Sequence, residues 1–201
     1  MRAKGTLVWA ALAAAIAVPL ALAATSELIA YRGPVYVIAA FAGMVALGLT
    51  LVQPLLIAGI LPGVALPRGR RAHLWIGAVL LFAVLIHVGG LWITSPPDML
   101  DALTFTSPTP FSPFGVVAMW AIFAVALLAA FRRRLGMTPR RWRVVHLSLA
   151  VVIVIGGVAH AMLVEGTMET LTKAALCALV LAAAIKVIGA RVWSTRAKSR
   201  A

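Results

Sequence analysis

Acidic residues are scarce in this 201-residue chain, which has five of them against 18 lysines and arginines. Charge of either sign amounts to 11% of the residues, where a soluble globular domain averages about 25%. With 63% of residues hydrophobic and a mean hydropathy of +1.06, that shortage excludes an ordinary soluble domain and points to an integral membrane protein. Cysteine occurs once, at Cys177 inside an apolar run, so no intrachain disulfide can form and a small core hydrophobe is the natural reading. The net charge of +13 would suit nucleic acid, but no basic face alternates with aromatics as a base-stacking groove requires. A nucleic-acid partner is therefore not expected.

Long apolar runs take the place of these features. Six approach the ~20 residues needed to cross a hydrocarbon core, at about 6–24, 35–60, 73–94, 114–131, 144–164 and 170–192. The expected fold is an all-α polytopic bundle of six transmembrane helices, forming a single integral membrane domain over 1–201. Gln53-Pro54 is expected to kink or end the second run near one membrane face. If the N-terminus is cytoplasmic, sixteen of the 18 basic residues fall on the inner side, and only Arg32 and Lys173 lie outside. All five acids (Glu27, Asp98, Asp101, Glu165 and Glu169) then fall outside. The positive-inside rule thus predicts that both termini are cytoplasmic, in a bacterial-type inner (plasma) membrane. The basic charge is mainly a topology signal.

Residues 1–23 have a basic start, an apolar middle and small residues at Ala21-Leu22-Ala23, as a cleavable signal would. The apolar run exceeds the usual signal core, and a retained first helix is the expectation. The 94–113 segment, TSPPDMLDALTFTSPTPFSP, reads as an ordered or interfacial outer loop, with Phe105, Phe111 and Phe114 able to dip toward the headgroups. A sharper reading makes it a lid over an outer site.

Four histidines interrupt the apolar runs: His73 and His87 in the third, His146 and His160 in the fifth. Both pairs are separated by 14 residues. That interval advances ~21 Å along an α-helix and falls about 40° short of four full turns. Each pair therefore shares a helix face, with one member toward each side of the membrane. The two runs are parallel, so His73 is expected opposite His146 and His87 opposite His160. A histidine on an apolar face can be a hydrogen-bonded core residue, yet ionisable groups within a bilayer are costly and invite a functional reading. A proton relay would want carboxylates, and no run has one in its middle. A tetrahedral metal site needs three or four converging ligands, which layers ~21 Å apart cannot share. Paired axial imidazoles suit a porphyrin, which brings four nitrogens of its own. Two b-type haems are the cofactors expected.

One turn from each histidine toward the membrane centre stand Gly77, Ala83, Ala150 and Gly156, all small enough to let a macrocycle lie close. Small residues also serve helix–helix packing. Arg71 and Arg143 precede the inner histidines at the depth expected for haem propionates, which the planar guanidinium fork suits, although topology alone also places arginines there. Trp75 and Trp142 read as interfacial belt residues, with ring neighbours of the haem as the other possibility.

Two segments carry a resemblance: RGRRAHLWIGAVLLFAVLIHVGG, and RRRLGMTPRRWRVVHLSLAVVIVIGGVAHAM. Over about residues 40–165 the chain resembles the ferric reductase-like transmembrane domain family. That family includes the membrane parts of ferric reductases and NADPH oxidases, and the haem-binding subunit of the methionine-sulfoxide reductase system. The resemblance implies that His73, His87, His146 and His160 are axial ligands of two b-type haems, and that electrons pass from the cytoplasmic side outward, or between the membrane and a partner at one face. Fused members continue into FAD- and NAD(P)H-binding domains. Here about ten residues follow the sixth run, and no GxGxxG follows a predicted strand. The expected partners are the lipid bilayer, a separate flavoprotein (bringing FAD) or a quinol as donor, and a periplasmic acceptor protein. A non-redox membrane protein, a transporter or assembly factor with histidines buried for packing, is the alternative.

Overall fold

The computed structural model describes residues 2–198, with side chains described for residues 3–190. The chain forms α1 (Arg2–Ala24), a 3-10 turn (Glu27–Ile29), α2 (Pro34–Ala58), α3 (Leu66–Thr94), α4 (Pro96–Leu103), α5 (Ser112–Phe131), α6 (Pro139–Leu163) and α7 (Thr170–Lys198). There is no strand among the described residues. Among the described residues the six helices other than α4 are long and apolar enough to cross a membrane. Their outward faces carry large apolar side chains in the open, including Trp75, Phe82, Val144 and Ile155. Contiguous exposed apolar surface of this kind is what lipid covers.

The helix starts lie earlier than hydropathy alone predicts. Pro67 and Pro139 stand at the first turns of α3 and α6, where a fixed φ favours the helix and the missing N–H costs nothing. Thr138 caps α6, its hydroxyl accepting from the Arg141 N–H at 3.3 Å. Arg68, Arg70, Arg71, Arg140, Arg141 and Arg143 are thereby helical, and not loop residues as the charge pattern implied. Pro54 does not end α2. The helix runs four residues further and stops where Gly59 takes φ 67°. Spans tolerate an internal proline because neighbouring groups re-satisfy the freed backbone. The outer segment contains a short helix of its own, α4, started by Pro96-Pro97 and with Asp98 in its first turn. Of the basic tail, Arg191, Arg196, Lys198 and Arg200 have side chains outside the described residues, as does Arg2.

α2, α3, α5, α6 and α7 close into a ring, each packing on the next, and α1 lies outside against α7 and α2. α2 is shared by two cores. Ala46 joins Leu80, Ala83 and Val84 of α3 and Val116, Met119 and Ile122 of α5. Leu47 and Leu51 join Leu176, Cys177, Val180 and Ala183 of α7. α3 and α6 are parallel and not neighbours in the ring, so they face one another across its interior.

Candidate functional site: two stacked histidine pairs

The facing helices meet through their histidines. The rings of His73 and His146 lie 6.0 Å apart, centre to centre, with their planes at 72°. The rings of His87 and His160 lie 6.3 Å apart at 77°. Each pair takes one member from α3 and one from α6. The 14-residue interval separates the two layers by ~21 Å of helix rise. All four histidines are half-buried.

Backbone carbonyls orient three of the rings. His87 Nδ1–H donates to the Ala39 carbonyl of α2 at 2.8 Å, and His160 Nδ1–H to the Phe111 carbonyl at the start of α5 at 3.0 Å. His73 Nδ1–H makes a longer bond, 3.3 Å, to the Gln53 carbonyl of α2. A carbonyl can only accept, so each of these imidazoles carries a proton on Nδ1, and Nε2 is the nitrogen that a neutral ring offers to a metal. His146 is placed differently: the Trp142 ring, one turn earlier, packs at 5.1 Å and a tilt of 34°. The Arg132 guanidinium lies over the Trp142 ring at 5.7 Å. Trp142 is thus a ring neighbour of the site, whereas Trp75 is exposed.

The dimensions suit one metal centre per pair. A metal–histidine nitrogen bond of ~2.0–2.1 Å, plus about 1.1 Å from nitrogen to ring centre, on each side gives about 6.3 Å between ring centres. The observed 6.0 and 6.3 Å match that span. Among the described residues no three His, Cys, Asp or Glu side chains converge. Two facing imidazoles are a donor set that a macrocycle with four nitrogens of its own would complete.

The small residues flanking the histidines divide. Ala83 is buried in the core shared with α2 and α5, and Gly156 is pressed on α5, where a Cβ would come 3.0 Å from the Phe114 carbonyl and 3.1 Å from Ala118 Cβ. Their smallness serves helix packing. A Cβ at Gly77 would meet only the end of the Gln53 side chain, at 3.2 Å, and Ala150 is half-buried. Arg71 and Arg143 are exposed at the helix ends that carry His73 and His146.

Two glycines absent from the sequence reading matter more. A Cβ on Gly43 would lie 2.8 Å from His87 Nδ1, and one on Gly115 would lie 2.5 Å from His160 Nδ1. They give the two rings their room. Gly43 precedes His87 by 44 residues and Gly115 precedes His160 by 45, a near-repeat that a comparison of the two halves could have exposed. Phe111 also belongs to the site, its ring edge-on to His160 at 5.6 Å.

No curated protein and no solved structure matches the chain. The ferric reductase like transmembrane component family matches residues 37–157, which is more than half of it. The match takes in His73, His87 and His146 and stops three residues short of His160; the chain belongs to the ferric reductase like transmembrane component family, a membership that points to electron transfer within the membrane.

Proposed function

We propose that the chain is a di-haem electron-transfer subunit, holding one b-type haem between His73 and His146 and another between His87 and His160. The observation that carries this reading is the pair of imidazole couples stacked in the ring interior at the spacing of axial ligands. When bound, haem supplies a one-electron carrier, and two in line would let charge cross the insulating layer. The protein's own part is to fix the ligands. The carbonyls of Ala39, Phe111 and Gln53 hold the Nδ1 protons, which sets the tautomer and aims each Nε2. Gly77 and Ala150 would leave room beside the inner pair, and Arg71 and Arg143 are within the right turns to meet propionates.

The arginine-rich end is the cytoplasmic one on the positive-inside rule, and the membrane is of the bacterial plasma type. Electrons would enter there from a separate flavoprotein or quinol and leave to an acceptor at the opposite face. The chain is then the membrane component of an oxidoreductase whose other chemistry resides in its partners. A dithionite-reduced minus oxidised spectrum of the protein purified from haem-replete cells tests this. The expected result is b-type absorbance with about two haems per chain. No such absorbance would favour histidines buried for packing and sink the redox reading.

A further inference from the structure

A lysine ammonium has a full charge and three N–H donors, and burying one is costly unless acceptors or an anion meet it. Lys173 is buried in this way, with 5% of its surface exposed; the other buried polar side chain among the described residues, Ser112, is uncharged. One turn further along α7 stand Leu176 and Cys177, in the core that α7 shares with α2 and α6. Among the described residues the Lys173 ammonium has one acceptor, the Val164 carbonyl at 2.7 Å, which leaves two of its N–H groups to spare. Glu169, one turn earlier, is exposed, and its two carboxylate oxygens accept from the N–H groups of Leu171 and Thr172, each at 2.7 Å.

The acceptor places this charge beside one histidine layer. Val164 N–H bonds the His160 carbonyl at 3.1 Å, so two hydrogen bonds link the Lys173 ammonium to the backbone of His160. Val164 stands four residues beyond His160, ~6 Å of helix rise on the side away from His146. The two layers differ in their supply of cations. Arg70, Arg71, Arg141 and Arg143 flank the near layer, His73 with His146. At the far layer, His87 with His160, the basic residues are Arg32 and Lys173, and the Arg32 guanidinium is exposed over the Tyr36 ring at 4.7 Å. A b-type haem brings propionate carboxylates to whichever layer it occupies.

We propose that Lys173 is the carboxylate anchor of the far layer, its ammonium held at the end of α6 to take a propionate of the macrocycle between His87 and His160. The inference rests on the di-haem reading above. The Val164 carbonyl fixes the ammonium, and its spare N–H groups make charge-assisted bonds, roughly twice as strong as neutral ones. The same pairing offsets the cost of a lone charge in the core. A free carboxylate entering from the far face has the same chemistry, and esterifying the haem separates the two sources.

The test uses protein made in haem-starved cells and loaded in detergent with protohaem or with its dimethyl ester, which lacks the carboxylate charge. Haem dissociation is followed at the spectral component that His87→Ala removes. In the parent the ester should leave the far layer about tenfold faster than protohaem, the worth of one hydrogen bond to a charged group. Lys173→Met should lose protohaem faster by a similar factor, while with the ester it should match the parent. The near layer should not respond to Lys173→Met with either haem. Loss of the Val164 bond would weaken the fold whichever haem is bound. An effect of Lys173→Met as large with the ester as with protohaem would therefore overturn the proposal and leave Lys173 as a helix-end cap. Equal dissociation of the two haems from the far layer of the parent would also overturn it, and would point to a free anion. That comparison needs no variant, so it decides even if Lys173→Met does not fold. No haem bound by the parent would sink the di-haem reading, and this proposal with it.

Discussion

Removing two histidines at a time separates the possible pairings, because the outcome depends on which two are removed. His73 and His146 face each other across 6.0 Å, and His87 and His160 across 6.3 Å, whereas partners on one helix are ~21 Å apart. No single iron can bridge that interval, since two metal–nitrogen bonds span only about 4 Å. The double variant His73→Ala/His146→Ala therefore loses both ligands of one layer and leaves the other intact, so about one haem per chain should remain, against about two in the parent. His73→Ala/His87→Ala removes the same number of imidazoles but takes one from each layer, and leaves no bis-histidine site. Its surviving haem should be five-coordinate, high-spin or lost. A haem assay for stoichiometry, with low-temperature spectra for spin state, reads both results. A retained low-spin haem in His73→Ala/His87→Ala, or none in His73→Ala/His146→Ala, would refute the layer assignment. The single variants His73→Ala and His146→Ala should perturb the same spectral component.

Three further outcomes are expected. Trp142→Ala removes the ring packed on His146 and the cation–π contact of Arg132, worth about 0.5–1 kcal/mol at an exposed site; haem should leave the His73–His146 layer several-fold faster in a dissociation assay, with the far layer unchanged. Lys173, a buried lysine at the start of α7, donates from Nζ to the Val164 carbonyl just past the end of α6 at 2.7 Å; Lys173→Met leaves that carbonyl without its donor, at a cost of about 1–3 kcal/mol, and an unchanged unfolding midpoint in detergent would contradict this. The Glu169 carboxylate accepts from the Thr172 and Leu171 N–H groups, each at 2.7 Å, and these bonds hold its pKa below the ordinary glutamate value; the stability it adds is complete above that ordinary value and fades as pH falls through the lowered one, so Glu169→Gln should flatten the acid limb of a stability–pH profile.

Much of the architecture could be read along the chain because a bilayer imposes simple rules. The six spans follow from runs of about twenty apolar residues, and the histidine layers follow from an interval of 14 on two parallel helices. The errors fell where hydropathy has no say. Arginines mark the ends of apolar runs but not of helices, and proline at the first turn let α3 and α6 begin several residues earlier. The small residues nearest the histidines in sequence looked like room for a macrocycle, yet Gly156 is filled by α5, because one face of a helix cannot reveal which neighbour lies against it.

The sequence by itself determined which residues enter the membrane, that α3 and α6 present their histidines on one face each, and that four such groups stand at two depths. Those are one-dimensional facts, set by hydropathy and helical period. Only the tertiary structure decided that α3 and α6 oppose each other across a ring instead of packing side by side, so that the histidines pair. It alone showed which carbonyls hold the rings, and that Gly43 and Gly115 give two of the rings their room. The bonds of His87 to the Ala39 carbonyl and of His160 to the Phe111 carbonyl join residues 48 and 49 positions apart. No local propensity encodes such contacts; they exist only once the helices have chosen their neighbours.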